Sequence, residues 1–342
     1  MNSIERINAT ICFQKPDRVP VDLHNFQPAA RATGKPLPEV FRDGALLAEA
    51  MLAAWREFGH DMILLENGTA CNAQACGATV TYMDNSAPVS HTALLKELKD
   101  VLTMEVPDPY STFPMREILK ATRILAKETA GQVWICARAD QGPMDLAAQL
   151  RGLDAFMLDI AEAEKPELVD ALLDYCRRVA TRYAFALIES GGHSTSIGEP
   201  IAGPDMLSPK HYRQYPWKHE KRMVEELKRR GIILHNHICG NTIPIADDFI
   251  ATGAQVLEVD HKTDAQAIKA KARGKTTLLG NIDTGLLHAG TPAEVEAACR
   301  EAIEIMAPDC GFILGPGCAL GTDTPAANIH ALVESARKYG RY

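Results

Sequence analysis

The chain has 342 residues, of which 46% are hydrophobic and 23% are charged, and its formal net charge at pH 7 is −8. A net negative charge, without runs of Lys and Arg interleaved with aromatic residues, argues against nucleic acid as the main partner. The N-terminal stretch MNSIERINATICFQKPDR lacks the basic and apolar regions of a signal peptide, and no apolar run reaches the roughly 18 residues that span a bilayer. We therefore expect a cytoplasmic protein with a large core and no membrane partner.

Strand-like and helix-like segments alternate along the chain. Short apolar or β-branched runs predict strands at residues 18–23, 61–66, 133–140, 194–200, 231–239, 255–261, 276–283 and 312–318. Helical periodicity predicts helices at residues 44–58, 115–129, 166–190, 208–229, 243–252, 264–272, 292–306 and 325–339. Three helix starts pair a cap residue with proline, namely Ser208-Pro209, Thr291-Pro292 and Thr324-Pro325. This alternation predicts a single-domain (β/α)8 barrel over residues 1–342, with an insertion after the second strand in residues 67–114.

Nine cysteines are scattered without the framework of a small disulfide-rich domain, which predicts reduced thiols. Apolar surroundings predict that four of them are small core residues, namely Cys12, Cys136, Cys176 and Cys299. The Cys71-x4-Cys76 pair lacks a usual zinc spacing, and we interpret it as structural.

A histidine and two other cysteines have the chemistry of metal ligands. His237 and Cys239 lie two residues apart on a predicted strand, so their side chains point to the same side. Cys318, 79 residues beyond Cys239, can add a second thiolate from another strand. Structural zinc sites usually close with four ligands from short local pairs, whereas three ligands and one open position are typical of catalytic sites. The pattern therefore predicts a catalytic Zn²⁺ site assembled by the fold.

The barrel prediction supports the zinc prediction, because functional residues of such barrels collect at the C-terminal ends of the strands. His237 and Cys239 end the fifth predicted strand, and Cys318 ends the eighth. The inward face of the fifth strand also carries His235, and this set of polar side chains is costly to bury without a function.

Further polar residues end other predicted strands. Alternation places Glu258 and Asp260 on one face of the sixth strand and His261 on the other. We interpret Asp260 either as a displaceable fourth zinc ligand or a partner that orients His237, or as a carboxylate that caps the following loop. Position at the rim predicts substrate contacts for Glu66, Asp140, Glu199, Asn281 and His235. Asp205 could position substrate or cap the helix at 208–229, and Gly315-Pro316-Gly317 would allow a tight turn beside Cys318.

Five segments carry a family resemblance that covers nearly the whole chain. They read SIERINATICFQKPDRVPVDL, GEPIAGPDMLSPKHYRQY, HICG, LLGNIDTGLLHAGTPAEV and ILGPGCALGTDTPAANIHAL. The chain resembles the uroporphyrinogen decarboxylase superfamily, whose fold is a (β/α)8 barrel. Within it, His237-x-Cys239 with the distant Cys318 is similar to the zinc motif of the corrinoid:coenzyme M methyltransferases, and Asp260 lies where those proteins carry an acidic residue.

The resemblance implies a zinc-dependent methyltransferase that moves a methyl group between a methyl-corrinoid, carried by a partner protein, and a small thiol. No catalytic side chain beyond the zinc ligands is predicted. True uroporphyrinogen decarboxylases carry an Arg-rich signature of the type RQAGRYLPEY, whereas this chain reads LHNFQPAARATGK with only Arg31 nearby. Two alternatives stay open: a decarboxylase of polycarboxylates, and a non-catalytic subunit that docks a corrinoid protein and holds zinc for structure.

Overall fold

Parallel strands form the centre of the protein in the computed structural model, which describes residues 1–90 and 92–342. The strands are β1 (Met62–Leu65), β2 (Val80–Thr81), β3 (Val89–Ser90), β4 (Trp134–Gln141), β5 (Ser194–Gly198), β6 (Leu234–Ile238), β7 (Val256–Val259), β8 (Thr277–Ile282) and β9 (Phe312–Pro316). Seven of them make one sheet in the order β1-β4-β5-β6-β7-β8-β9, with every neighbouring pair parallel. The short strands β2 and β3 form a separate antiparallel pair.

Helices connect and surround these strands. They are α1 (Ser3–Ile11), α2 (Phe26–Ala32), α3 (Leu37–Arg42), α4 (Gly44–Phe58), α5 (Cys71–Ala75), α6 (Met115–Thr129), α7 (Pro143–Arg151), α8 (Leu153–Glu162), α9 (Pro166–Glu189), α10 (Pro209–Gln214), α11 (Pro216–Lys228), α12 (Ala246–Ala251), α13 (Ala265–Ala272), α14 (Thr284–Ala289), α15 (Pro292–Met306) and α16 (Ala326–Tyr339). Two 3₁₀ helices cover Leu98–Thr103 and Ile243–Ile245. None of the described helices is long and apolar enough to cross a membrane.

The segment 18–23 joins the two edges of the sheet. Val21 forms a parallel bridge to Leu314 of β9, and Asp22 forms one to Met62 of β1. The amide of Leu314 donates to the carbonyl of Pro20 at 2.9 Å, but Pro20 has no amide of its own to extend a ladder. The predicted first strand is therefore reduced to single bridges. The barrel fold is confirmed, with seven strands in the sheet and the segment 18–23 in the place of the eighth.

Several predicted boundaries differ from the observed ones. The predicted helix 208–229 is broken into α10 and α11, because Pro216 cannot continue a helix and begins the next one. Ser208 and Thr291 are N-caps as predicted, whereas Thr324 is not: Pro325 caps α16. The predicted insertion contains α5, the β2–β3 pair and a 3₁₀ helix.

Side chains alternate between the barrel interior and the helical layer. An apolar cluster fills the interior toward the N-terminal ends of the strands. It includes Met62, Trp134, Leu279 and Ile313, together with Ile7 and Ile11 of α1. Among the described residues all nine cysteines are free. Cys136, Cys176 and Cys299 are buried as predicted, but the prediction for Cys12 is wrong: this residue caps the C-terminus of α1 and is exposed.

Candidate metal centre

The three predicted zinc ligands meet at the C-terminal end of the barrel. His237 points inward from β6, since its neighbours Asn236 and Ile238 face the helical layer. Cys239 follows β6 directly, and Cys318 lies just after β9. Their ligand atoms all lie within 4.8 Å of one another, and Nε2 of His237 is 3.1 Å from Sγ of Cys239. No other group of three metal-ligating side chains is this close in the described part of the chain.

The donor set and its spacing fit Zn²⁺. In a tetrahedral site with Zn–S of about 2.3 Å and Zn–N of about 2.0 Å, ligand atoms are roughly 3.5 to 3.8 Å apart. The observed spread, from 3.1 Å to at most 4.8 Å, needs only small side-chain adjustments to reach these values. His237 is buried, whereas both cysteines are partly exposed, so the group is reachable from the rim.

The two thiols have opposite electrostatic surroundings. A hydrogen bond from Cys239, together with His237, holds the pKa of the Cys318 thiol well below its ordinary value, although burial opposes this shift. The same hydrogen bond and burial raise the pKa of Cys239. Burial lowers the pKa of His237, but the negative charges of Glu258 and Cys318 outweigh it and raise this pKa to about 9.

A ring of buried charged side chains lies behind His237. Its Nδ1 is 3.2 Å from the backbone carbonyl oxygen of Glu258, which orients Nε2 toward Cys239. Oε1 of Glu258 is 3.0 Å from Nδ1 of His24, and Nε2 of His24 is 3.0 Å from Oε1 of Glu66. Arg138 completes the ring, with Nε 2.8 Å from Glu66 and Nη1 3.9 Å from Glu258. Burial opposes the charged form of His24, but Glu66 and Glu258 raise its pKa well above the ordinary value.

Asp260 is engaged by backbone groups of the rim. Its Oδ2 accepts the amide N–H of Gly240 at 2.8 Å, and its Oδ1 accepts that of Lys262 at 3.1 Å. Oδ1 also lies 2.9 Å from Nδ1 of His261. Asp260 is not among the three clustered ligands, and its two backbone contacts are those expected of a carboxylate that caps the rim loops. Its ligation of zinc stays a prediction.

Glu199 and Asp140, which were predicted to contact substrate, accept hydrogen bonds from backbone amides. The Glu199 carboxylate is fully buried and accepts the amide N–H groups of Met144 and Asp145 at 3.0 and 2.9 Å, so it caps the N-terminus of α7. Oδ2 of Asp140 accepts the amide of Asn72 at 2.7 Å, and burial raises the pKa of Asp140 to about 7. Both oxygens of Glu199 are occupied within the protein, because the start of α7 folds over the end of β5. The second oxygen of Asp140, Oδ1, is buried without a hydrogen-bond partner.

The other rim candidates lie nearer to the ligands. Glu66 belongs to the charged ring. His235 lies two residues before His237 on β6, so its side chain also points into the barrel. Neither ring nitrogen of His235 has a protein partner, and burial lowers its pKa to about 4. Asn281 is partly buried, and its Nδ2 donates to the Thr263 carbonyl oxygen at 3.4 Å. Asp205 is exposed and lies 3.8 Å from Lys262.

Close backbone packing positions the Cys318 loop. A Cβ on Gly317 would lie 2.7 Å from the His261 amide nitrogen and 3.2 Å from Cα of Asp260. Only glycine therefore lets the loop after β9 approach the loop after β7 so closely. This approach, and not a left-handed backbone, explains the glycine beside Cys318.

Sequence reasoning did not identify His24 and Arg138, and it gave Glu258 no role. Arg138 lies inside the apolar run VWICARAD at an inward-facing position, and His24 follows the segment 18–23 by one residue. A charged residue at an inward position of a buried strand was the available signal, since such a residue needs a partner.

The chain is similar to known proteins over almost its whole length. The sequence model described as uroporphyrinogen decarboxylase (URO-D) matches residues 2–339. A protein of Methanosarcina acetivorans named methylcobamide:CoM methyltransferase MtbA is 27% identical, with 98% of this chain and 97% of that protein covered. A uroporphyrinogen decarboxylase of Chloroflexus aurantiacus is 26% identical, with 96% and 94% covered. A solved methyltransferase structure from Methanosarcina mazei superposes with a TM-score of 0.91 at 25% identity, covering 99% of both chains.

Proposed function

Because this chain belongs to the uroporphyrinogen decarboxylase family, we propose that it is the kind of member that transfers a methyl group between a corrinoid protein and a thiol. The proposal assigns one Zn²⁺ to His237, Cys239 and Cys318. The observation that carries it is the meeting of one imidazole and two thiols within 4.8 Å at the C-terminal end of the barrel. The relatives named methylcobamide:CoM methyltransferase, similar over almost the full length, support the same reaction class.

The ligand residues suit the activation of sulfur. When bound, Zn²⁺ supplies a Lewis acid that favours the thiolate form of an incoming thiol. Cys239 and Cys318 bring negative charge, which neutralises the site and leaves the sulfur of the substrate nucleophilic. His237, fixed through the Glu258 carbonyl, completes a set of three protein ligands and leaves one position for substrate. Sites that activate water for hydrolysis more often use histidine and carboxylate ligands.

The proposed transfer balances without a further reactant. The sulfur of the thiolate forms a bond to the methyl carbon, the methyl–cobalt bond breaks, and its electron pair stays on the corrinoid cobalt. The proton of the thiol is released to solvent. The thiol is of the coenzyme M type or another small thiol, and the corrinoid is carried by a partner protein.

A decarboxylase of polycarboxylates would need several arginines free to bind carboxylates. The one arginine of the charged ring, Arg138, already contacts Glu66 and Glu258. Arg31, on α2, is about half exposed. It lies 3.5 Å from Asp323, in the loop before α16. These contacts favour the methyltransferase over the decarboxylase.

Metal analysis and a spectrophotometric assay test the proposal. The purified protein should contain about one Zn²⁺ per chain, and Cys239→Ala should lose most of it while its circular dichroism stays that of a folded barrel. Mixed with methylcobalamin and coenzyme M, the wild type should convert the methyl-Co(III) spectrum to that of Co(I) and form a thioether. Thiol binding should release about one proton per site at neutral pH.

Control experiments distinguish the methyltransferase from the decarboxylase and from the non-catalytic docking subunit. Cys318→Ala should not demethylate the corrinoid, whereas Cys299→Ala, a buried thiol on α15 outside the site, should behave as wild type. Unchanged demethylation by Cys318→Ala, or porphyrinogen decarboxylation by metal-free wild type, would contradict the zinc-thiolate mechanism. Zinc whose X-ray absorption spectrum does not change on adding thiol would indicate a non-catalytic docking subunit.

A further inference from the structure

The buried charged ring beneath the metal ligands is more elaborate than packing requires. Four side chains from four different parts of the chain, His24, Glu66, Arg138 and Glu258, are each at most 5% exposed. Two are anionic and two cationic, and successive members lie 2.8 to 3.9 Å apart. Burying four charges costs several kcal/mol each unless the geometry compensates, and an apolar set would fill the same volume at less cost. Because the ring lies directly beneath the proposed metal ligands, its charges can act on them.

Glu258 connects this ring to the metal ligand His237 by two routes. Its backbone carbonyl oxygen accepts Nδ1–H of His237 at 3.2 Å, so Nε2 is the ring nitrogen that faces the cysteines and is available to a metal. Its carboxylate Oε1 lies 3.8 Å from the same Nδ1, behind the imidazole. Negative charge at this place makes an imidazole a better metal ligand.

The position of that carboxylate depends on His24. Oε1 of Glu258 lies between two imidazoles, 3.0 Å from Nδ1 of His24 and 3.8 Å from Nδ1 of His237. Arg138 reaches only the other oxygen, Oε2, and at 3.9 Å. His24 is therefore the group that holds Oε1 beside the metal ligand, and Glu66 holds His24 from its far side.

We propose that His24 and Glu258 are positioning residues of the metal centre: His24 holds the Glu258 carboxylate behind His237, and Glu258 sets the orientation and donor strength of that ligand. This inference rests on the proposed zinc site. It assigns a function to a residue of the N-terminal segment, more than two hundred positions before the ligand on which it acts.

Metal affinity of the full-length protein tests the proposal without an activity assay. His24→Gln and Glu258→Gln remove one charge each with little change in volume. Both should weaken zinc binding about tenfold to a hundredfold, measured by competition with a chromophoric chelator. With Co²⁺ in place of zinc, both should shift the ligand-field bands of the folded protein, which report ligand geometry. Glu220→Gln is the matched control, since this fully buried carboxylate binds Asn236 on the opposite face of β6.

The outcomes distinguish failure of the proposed zinc site from failure of the inference about the charged ring. Failure of the wild type to bind zinc would contradict the proposed function itself. Wild-type zinc binding, with variants that unfold at lower temperature but keep wild-type zinc affinity and Co²⁺ spectra, would show that the ring only stabilises the barrel and would overturn the inference. Should the neutral variants not fold, Glu258→Asp decides: it keeps the buried charge but withdraws the carboxylate from both imidazoles, and unchanged zinc affinity in it also overturns the inference.

Discussion

At the scale of single residues, the rim carboxylate Asp260 joins the loops that surround the proposed zinc ligands. It accepts the Gly240 amide immediately after Cys239 and the Lys262 amide of its own loop. A buried carboxylate that accepts two backbone N–H groups stabilises the loop conformation that both require. Movement of this carboxylate toward a metal at the proposed site would strain these hydrogen bonds, so its two interpretations compete energetically.

We expect Asp260→Asn to retain zinc and to lose stability. The amide group can accept through one oxygen only, so one of the two backbone N–H groups is left without its partner, at a cost of about 1–3 kcal/mol in the free energy of unfolding. Zinc content and chemical denaturation measure the two effects. Loss of stoichiometric zinc with unchanged stability would instead identify the carboxylate as a metal ligand.

At the scale of elements, the loops after β7 and β9 meet at Gly317, beside the proposed zinc ligand Cys318. A Cβ at position 317 would lie 2.7 Å from the His261 backbone nitrogen, which is closer than Cβ atoms in proteins approach other heavy atoms. Backbone atoms cannot rotate away as a flexible side chain can, so a side chain at this position must move one loop.

Gly317→Ala should therefore displace Cys318 and weaken zinc binding, with a loss of about 1–3 kcal/mol in stability from the overlap. Gly321→Ala is a control on the same loop, because a Cβ there would meet nothing closer than 4.0 Å. Zinc affinities by chelator competition compare the two. Equal affinities would mean that the loop adapts and that Gly317 does not position the ligand.

The interface of β5 and β6 with α11 contains a second group of buried acids. Oε2 of Glu220 accepts the Tyr212 hydroxyl at 2.8 Å and the Asn236 amide at 3.2 Å. Burial raises the pKa of Glu220 to about 7, although both hydrogen bonds oppose the shift. Burial and the charge of Glu220 also raise the pKa of Glu199.

Stability should consequently depend on pH through Glu220. The folded protein binds its proton more tightly than the unfolded chain does, so the free energy of unfolding falls as pH rises from the ordinary glutamate range to about 7. Glu220→Gln should flatten this slope and be more stable than wild type at pH 8 by an amount on the order of 1 kcal/mol or more. Denaturation at pH 5 and pH 8 measures it, with Glu225→Gln, an exposed residue of α11, as control. Parallel pH profiles for wild type and Glu220→Gln would contradict the assignment.

At the scale of the whole molecule, Asp61 joins the parts that close the bottom of the barrel. It is 1% exposed and accepts hydrogen bonds from Arg6 of α1 at 2.7 Å, from Arg18 at 2.7 Å and from the Val21 amide at 3.0 Å. The segment 18–23, the helix α1 and the start of β1 are thereby held together by one carboxylate.

Asp61→Ala should destabilise the barrel by about 3–5 kcal/mol, because two arginines lose a buried partner. Asp17→Ala removes a half-exposed partner of Arg6 and should cost about 1 kcal/mol or less. Chemical denaturation compares them, and the fraction of Asp61→Ala that folds should bind zinc as wild type does, since the site lies at the opposite end. A cost for Asp61→Ala no larger than that for Asp17→Ala would show that the closure does not depend on this carboxylate.

The sequence alone carries the periodic and chemical features of this protein. Period-two and helical patterns placed the strands and most helices, because both depend on which side chains face the core. The type and spacing of His237 and Cys239, and the strand end at Cys318, predicted which side chains the fold would bring together. These features are local, or depend only on the rule that parallel strands end on one side of a barrel.

Tertiary structure alone decided which polar groups are neighbours and which are already occupied. His24, Glu66, Arg138 and Glu258 come from four separate segments, and no local pattern links a histidine near the N-terminus to a glutamate on β7. Glu199 looked like a substrate contact at a strand end, but the loop after β4 folds its amides onto it. The physical reason is that pairing of buried charges depends on distances across the barrel, which the order of residues along the chain does not contain.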